Sequence, residues 1–215
     1  MVRGDRASLF RYIYVFMDRE TVNDSDAAIE ILAPAEQRAP LVFSSPHSGR
    51  YYPKDFLAAS KLDATAIRRS EDCFVDELFA HVPHLGAPLL KALFPRAFVD
   101  PNREPYELDP TMFTGPLPSF VNRRSPRVAA GLGTIARVVA NGAEIYSCKL
   151  DFDEAHARIE RYYRPYHDAL EDLITATRTR FSTCILIDCH SMPSIGGPME
   201  NDAGRRHQVD FILGD

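Results

Sequence analysis

The chain has 215 residues, of which 45% are hydrophobic and 26% charged, so it is long enough for one domain with a substantial core. Its formal net charge of −5 gives no electrostatic reason to expect a nucleic-acid partner. The longest early apolar stretch, residues 12–17, is too short to span a membrane, and no signal-peptide cleavage site follows it. We therefore expect a cytoplasmic protein that has no membrane partner.

The first part of the chain predicts an irregular start, followed by a strand and helices. Residues 1–40 mix charges, short apolar patches and prolines, and we expect an irregular N-terminal extension that could include one short strand. Residues 41–45 are a β-favouring run that a proline stops, and a turn then leads into a helix through Ala58. Helical spacing of apolar residues predicts a further helix over residues 64–79, entered through a loop near Ser70.

The second part of the chain predicts strands, a long loop and a long helix. Residues 96–100 favour a strand, and the proline-rich residues 100–124 that follow are expected to form a loop that walls a pocket. Residues 152–181 have the apolar period of one long amphipathic helix, which Pro165 is expected to kink. The last segments are predicted as a strand, a loop and a strand, at residues 184–188, 194–206 and 209–213. This order predicts the α/β class, and the last strand would lack helices to cover it, so we expect an incomplete domain.

Two of the β-favouring runs lead directly into histidines, His47 and His190. Side chains just past the carboxyl end of a buried strand face the crevice where α/β proteins bind ligands. A catalytic zinc ion usually takes three protein ligands from histidine and carboxylate, so we expect a third ligand in the turn that opens the following helix, Asp72 rather than Glu71. Asp188 lies on the same side of its strand as His190 and could orient that ligand, although an ordinary core hydrogen bond is the alternative.

The other histidines lack this context, and we expect them to be surface residues: His81, His84, His156, His167 and His207. A single histidine is more often a satisfied structural residue than a ligand, so the metal hypothesis depends on the pairing. No G-x-S-x-G elbow is present, which argues against a serine hydrolase. Four cysteines without C-x-x-C spacing predict neither disulfides nor a cysteine-rich zinc site.

Basic and amide side chains near the predicted 96–100 strand are candidates for binding a substrate carboxylate. Arg96, Asn102 and Arg103 could form paired hydrogen bonds with such a group, and Arg137, after a segment with two glycines, could join the pocket. The alternative is a salt-bridge cluster with nearby acids such as Asp100.

Four motifs in this order resemble the N-formylglutamate amidohydrolase family. They are S-S-P-H-S-G at 44–49 with Y-P at 52–53, E-D-C-F-V-D at 71–76, D-P-N-R at 100–103 and D-C-H-S-M-P at 188–193. The resemblance runs from about residue 41 to residue 215. It implies a catalytic domain over residues 41–215 with a three-layer α/β/α fold and a mixed, mostly parallel sheet, like zinc carboxypeptidases, aspartoacylases and phosphorylase/hydrolase-like proteins.

The resemblance also implies an activity, hydrolysis of N-formyl-L-glutamate to glutamate and formate in a histidine-degradation route. It implies that Zn²⁺, or another divalent ion, is bound by His47, Asp72 and His190. It places Arg96, Asn102 and Arg103 on the substrate, a small N-acyl amino acid with a free carboxylate. The expected general base, a glutamate, belongs to a later segment than residue 215. The alternatives are a truncated relative that binds metal and carboxylate without turnover, and a metal-free α/β protein whose histidines are structural.

Overall fold

The computed structural model describes residues 27–193 and 211–214. The strands are β1 Ile29–Leu32, β2 Leu41–Ser45, β3 Leu89–Ala92 and β4 Ile185–Asp188. The α-helices are α1 Lys54–Ala59, α2 Val75–Leu78, α3 Pro126–Ala129, α4 Phe152–Arg158 and α5 Arg164–Phe181. A π-helical segment, Ile159–Tyr163, joins α4 to α5, and short 3₁₀ segments lie at Ala66–Ser70, Val82–Leu85 and Pro110–Met112.

The four strands form one mixed sheet in the order β1-β3-β2-β4. The β2–β3 and β2–β4 pairs are parallel, and only the β1–β3 pair of this sheet is antiparallel. The predicted α/β class with a mixed, mostly parallel sheet is therefore confirmed. Because β2 and β4 are parallel neighbours, with Ser44 opposite Asp188, the residues that follow these two strands emerge at the same edge of the sheet.

Several predicted elements are found close to their predicted positions. Strands β2 and β4 and helix α1 are confirmed within one or two residues. The short strand allowed for in the extension is β1, which pairs with β3. Residues 1–26 and 194–210, which include the predicted loop at 194–206 and His207, lie outside the described part of the chain. The predicted last strand, 209–213, is not seen in its described portion, since residues 211–213 have no strand structure.

The predicted helix over residues 64–79 is wrong, because the chain bends sharply in its middle. A 3₁₀ segment ends at Ser70, and α2 begins only at Val75. Between them the backbone N–H of Asp72 donates to the carbonyl of His47 at 3.1 Å, and Phe74 adopts a left-handed conformation with φ of 65°. A residue whose N–H bonds a distant segment cannot continue the helical ladder. This bend brings Asp72 to the end of β2.

The strand predicted at residues 96–100 is also wrong. Pro95 starts a turn, in which its carbonyl accepts a hydrogen bond from the N–H of Phe98 at 2.9 Å. The apolar side chains that favour a strand are buried here without sheet pairing, and Val99 is fully inaccessible. Apolar runs of four or five residues report burial more reliably than they report strand structure. Asp100 leaves the turn with its N–H bonded to the carbonyl of Thr134 at 2.8 Å.

The long helix predicted over residues 152–181 is confirmed, with a local widening in place of a simple kink. Pro165 has no N–H to donate to the preceding turn, and the π-helical segment Ile159–Tyr163 lies directly before it. Helix α5 packs against β2 and β3, and its Tyr166 is among the largest fully buried side chains. Within the described residues, no helix combines the length and the apolar character needed to cross a membrane.

Gly49 makes the close packing after β2 possible. A Cβ atom at this position would lie 2.1 Å from the backbone carbonyl oxygen of Phe94, a contact that cannot form without moving main chain. We expect Gly49→Ala to lower the free energy of unfolding by about 1–3 kcal/mol, as overpacked sites do. Gly115→Ala is the matched control, since nothing lies within 4 Å of its added Cβ. Chemical denaturation compares them, and equal stabilities of the two variants would contradict this packing argument.

Candidate metal centre

His47 lies two residues beyond the end of β2 and is only 3% exposed. Its Nε2 donates to Oδ1 of Asp100 at 2.8 Å. Its Nδ1 is buried and has no hydrogen-bond partner. Among residues 27–193 and 211–214, no other buried side-chain nitrogen or oxygen atom lacks a partner. The carboxylate oxygen Oδ2 of Asp72 lies 3.5 Å from this Nδ1.

Asp72, rather than its neighbour Glu71, faces His47. Ser48 Oγ donates to the main-chain carbonyl of Asp72 at 2.9 Å, so the turn after β2 fixes the backbone that carries this side chain. The carboxylate of Glu71 instead accepts hydrogen bonds from the Tyr52 hydroxyl at 2.6 Å and from Arg68 at 2.9 Å. Of the two acids considered from the sequence, Asp72 is therefore the one placed beside the histidines.

His190 lies two residues beyond β4 and completes the group. Its Nδ1 is 2.8 Å from Oδ2 of Asp72, and its Nε2 is 2.9 Å from Oδ2 of Asp188. The rings of His47 and His190 have centroids 4.8 Å apart. We call His47, Asp72 and His190 the ligand cluster, since one donor atom from each lies within 4.8 Å of the others.

The hydrogen bonds of the ligand cluster suit a cation. Each imidazole directs Nε2 at a carboxylate, Asp100 or Asp188, and Nδ1 at Asp72. A neutral ring that donates from Nε2 has a lone pair on Nδ1. At His47 that lone pair faces the carboxylate of Asp72 at 3.5 Å. In the neutral ring, two acceptors therefore face each other without a hydrogen between them, which is an arrangement that a cation can fill. Catalytic zinc sites use such a donor set, which consists of two imidazole nitrogens and one carboxylate oxygen. In those sites, too, carboxylates commonly hold the histidines from behind.

The pKa values of the acids in the cluster follow from these contacts. Burial alone would raise the pKa of Asp72, but the hydrogen bond with His190 and the nearby imidazole of His47 outweigh it and lower that pKa to about 2. Burial also opposes ionisation of Asp100, yet the hydrogen bond from His47 and the charges of Arg96 and Arg103 hold its pKa well below its usual range. Both carboxylates are therefore ionised near neutral pH.

Metal binding at this cluster should release a proton. Hydrogen bonds to Asp188 and then to Asp72 raise the pKa of His190 to about 9, so the ring is protonated at neutral pH when no ion is bound. An ion can bind Nδ1 only after that proton leaves, so affinity should rise with pH up to about 9 and then level off. Calorimetric titration in two buffers of different ionisation enthalpy measures the released proton. Identical heats in both buffers would contradict the prediction.

The residues predicted to bind substrate are largely engaged by other protein groups. Arg96 donates from Nη2 to Oδ2 of Asp100 at 2.9 Å, and its side chain is 22% exposed. Asn102 donates from Nδ2 to Oδ2 of Asp188 at 2.7 Å and lies 3.0 Å from Nε2 of His190. Arg103 donates from Nε and Nη1 to main-chain carbonyls. Arg96 and Asn102 thus contact residues that support the histidines, and Arg96 keeps an exposed edge.

Asp100 is the residue whose role the sequence interpretation missed. The sequence predicts it only as a salt-bridge partner, but it is 4% exposed and contacts His47, Arg96 and the N–H of Asn102. It therefore orients a histidine of the ligand cluster and fixes the loop that carries Asn102. Its position at the start of the D-P-N-R motif was the available signal.

Arg137 and His167 have partners in the structure that the sequence does not predict. Arg137 donates to Oδ2 of Asp109 at 2.8 Å and lies 3.8 Å from Glu144, and both of these acids lie outside the ligand cluster. His167, expected at the surface, is half-buried and donates from Nε2 to the carbonyl of Pro101 at 2.8 Å. It follows Tyr163 by four residues on the apolar side of the long helix, a spacing that could have indicated this contact.

Comparison with known proteins places this arrangement in a family. The family model described as N-formylglutamate amidohydrolase matches residues 39–215. The chain belongs to the N-formylglutamate amidohydrolase family. All residues of the ligand cluster and the loop from Asp100 to Arg103 fall inside the matched region.

Individual relatives agree with this family assignment. A curated N-formylglutamate deformylase of Pseudomonas putida is 24% identical over 167 residues, which is 77% of this chain and 56% of that protein. The crystal structure of an N-formylglutamate amidohydrolase from Ralstonia eutropha is 37% identical with a TM-score of 0.71, over 78% of this chain and 59% of the other. The gene product Atu2144 from Agrobacterium tumefaciens, 20% identical with a TM-score of 0.58, covers 86% of this chain and 62% of its own and supports the fold alone. This chain of the amidohydrolase family thus spans less than two thirds of the length of these relatives.

Proposed function

We propose that this chain takes part in metal-dependent hydrolysis of the N-formyl amide bond of N-formyl-L-glutamate, giving glutamate and formate. The observation that carries the proposal is the ligand cluster itself. Two strand-end histidines and one acid converge with an unpaired, buried Nδ1 at His47, in a family whose members are described by this reaction. A buried polar atom without a hydrogen-bond partner costs free energy, and an ion bound at Nδ1 of His47 would remove that cost.

The ligand cluster would hold a divalent ion, most simply Zn²⁺, through Nδ1 of both histidines and the carboxylate of Asp72. A divalent ion at such a site supplies Lewis acidity and lowers the pKa of water towards neutrality. The chain's own contribution is rigidity. Asp100 and Asp188 hold the two rings from behind, and Ser48 fixes the turn that carries Asp72.

Arg96 is the residue we assign to substrate charge. One edge of its guanidinium is paired with Asp100, and Nη1 lies 3.8 Å from Oδ1 of Asp72, so the group is anchored directly beside the ligand cluster. Its exposed edge can donate to a substrate carboxylate or to the oxygen of the scissile carbonyl, where charge develops. We propose that Asn102 and Arg103 shape the same wall and that Arg137 acts outside it.

The proposal extends to features that the comparisons leave open. We propose that Zn²⁺ is the native ion, that the sheet belongs to a three-layer zinc-carboxypeptidase-like domain, and that the reaction serves histidine degradation in the cytoplasm. The substrate class is a small N-acyl amino acid with a free carboxylate.

A formate-release assay tests the proposed function. The zinc-loaded chain is incubated with N-formyl-L-glutamate beside a His190→Ala variant carried through the same loading. The carboxylates that contact the histidines are engaged in holding them, so we assign none of them as a dedicated general base. We therefore expect the rate of formate release to be lower by the roughly 10²- to 10⁴-fold that such a base contributes. We still expect faster release from the unaltered chain. Equal rates of formate release from the two proteins would contradict the proposal.

A second candidate, a metal- and carboxylate-binding chain without turnover, is favoured by one observation. Hydrogen bonds from the histidines of the cluster help to lower the pKa values of Asp72, Asp100 and Asp188, so all three are weak bases towards water. This candidate predicts one bound ion per chain, binding of N-formylglutamate measured by calorimetry, and no formate above the His190→Ala control.

A further inference from the structure

A buried tyrosine in the long helix points its hydroxyl at the strand that leads to His47. Tyr166 is 1% exposed, and its hydroxyl oxygen lies 2.6 Å from Oγ of Ser44 on β2. Ser44, itself 2% exposed, lies 2.9 Å from Oδ1 of Asp188 on β4. Asp188 in turn contacts Nε2 of His190 through Oδ2. Four side chains, from a helix, two strands and the segment after β4, thus form one continuous line of hydrogen bonds.

The direction of these hydrogen bonds is fixed by counting protons. An ionised carboxylate can only accept, so the single proton of Ser44 Oγ is donated to Asp188. The Ser44 hydroxyl then has only lone pairs for Tyr166, and the tyrosine must be the donor. Both hydroxyl hydrogen bonds therefore point from α5 towards Asp188, which also accepts a hydrogen bond from Nε2 of His190.

The two oxygens of Asp188 have separate tasks. Oδ1 is held by Ser44, which leaves Oδ2 for Nε2 of His190 and Nδ2 of Asn102. Fixing Oδ1 stops the carboxylate from rotating about its χ2 bond. A fixed Oδ2 is what keeps His190 oriented with Nδ1 towards Asp72.

His190 needs this support more than His47 does. The side chain of His190 is 36% exposed, whereas that of His47 is 3% exposed and is enclosed by packing. Asp100 behind His47 is held directly by Arg96 and by the N–H of Asn102. Asp188 is 36% exposed at its side chain, and its buried contact is the hydroxyl of Ser44.

We propose that Ser44 and Tyr166 are positioning residues for His190, acting through Asp188 and not by contact with an ion or a substrate. The inference deepens the proposed function, since it concerns the same metal centre. A buried residue of helix α5 would thus influence metal affinity through Ser44 and Asp188.

The test measures Zn²⁺ affinity by competition with a chromophoric chelator in Ser44→Ala, Tyr166→Phe and the double variant. Removing the hydroxyl next to Asp188 should weaken binding about tenfold, the lower end of what partners of metal-bound histidines contribute, and Tyr166→Phe should weaken it less. Because the two hydroxyls act in series, the double variant should be no weaker than Ser44→Ala alone. Affinities equal to that of the unaltered chain would overturn the inference.

A matched control separates positioning from general destabilisation. Tyr146 also has a buried hydroxyl, which accepts from Nη1 of Arg158 at 2.7 Å, so Tyr146→Phe removes a comparable core contact away from Asp188. It should lower stability while keeping zinc affinity. Weakening of zinc binding by Tyr146→Phe to the same extent as by Tyr166→Phe would also overturn the inference.

A second readout is independent of the metal. In the metal-free chain, exchange of the His190 Nε2 proton with solvent can be followed by NMR, the resonance being assigned by its loss in His190→Ala. Tyr166→Phe and Ser44→Ala should each accelerate that exchange. Absence of zinc binding with accelerated exchange would contradict the proposed function and keep the positioning role, whereas unchanged exchange would contradict the positioning role itself.

Discussion

Asp72→Asn is expected to weaken zinc binding by roughly 10²- to 10³-fold. A structural zinc site contributes about 10–16 kcal/mol of apparent binding free energy through its ligands, so one ligand of three or four accounts for about 3–4 kcal/mol. Asp72 is the member that contacts both histidines, through a single oxygen 3.5 Å from His47 and 2.8 Å from His190. The change to asparagine keeps the shape and removes the negative charge. Equilibrium dialysis against zinc measures the loss.

Glu71→Gln is the matched control for this experiment. It removes the same charge from the adjacent residue, whose carboxylate is bonded to Tyr52 and Arg68 and not to the histidines. We expect zinc affinity to be retained, with some loss of stability because the Glu71 side chain is only 2% exposed, although that of its partner Arg68 is 47% exposed. If Glu71→Gln lost zinc and Asp72→Asn kept it, the acid of the ligand cluster would be misassigned.

Asp100→Ala is expected to have the largest effect on stability. The carboxylate lies between His47, Arg96 and Arg103, at 2.8, 2.9 and 3.6 Å, and its pKa is held low mainly by the contact with His47 against the opposing effect of burial. Its removal leaves cationic groups without their partner. We expect a loss of roughly 3 kcal/mol in the free energy of unfolding, the lower end for a broken buried pair, because Arg96 is partly exposed. Urea denaturation measures it.

The pH dependence of that loss gives a further check. The depressed pKa of Asp100 means that the carboxylate stabilises the fold above the pKa of an unfolded aspartate, near 4, and that this contribution disappears as the pH falls towards the folded-state pKa. The difference between the unaltered chain and Asp100→Ala should therefore narrow as the pH is lowered below about 4. A difference that stayed constant down to acidic pH would show that packing, and not charge, explains the effect.

The sequence predicted the sheet edge well because its signals are local. Residues 41–45 and 184–188 are apolar, β-favouring and followed by turn residues, and both became parallel strands ending at the same edge. The bend between Ser70 and Val75 was not predictable from periodicity, since it depends on a hydrogen bond between the N–H of Asp72 and the carbonyl of His47. Tertiary contacts of this kind override local helical preference.

The ligand cluster was more predictable than the residues that hold it. His47 and His190 could be paired because each follows a strand, and Asp72 because it opens a turn. The roles of Asp100 and Tyr166 depend on which groups the fold brings within about 3 Å, across 53 and 122 residues of sequence separation. Long-range hydrogen bonds leave no periodic trace in a sequence, so only the assembled structure reveals them.

Anomalous diffraction from crystals of the zinc-loaded chain would locate the ion that the ligand cluster is proposed to bind. We expect one strong zinc peak per chain, with Nδ1 of His47, Nδ1 of His190 and a carboxylate oxygen of Asp72 each about 2.0–2.2 Å from it. A zinc peak bound through other groups, or no peak beside these three side chains, would contradict it.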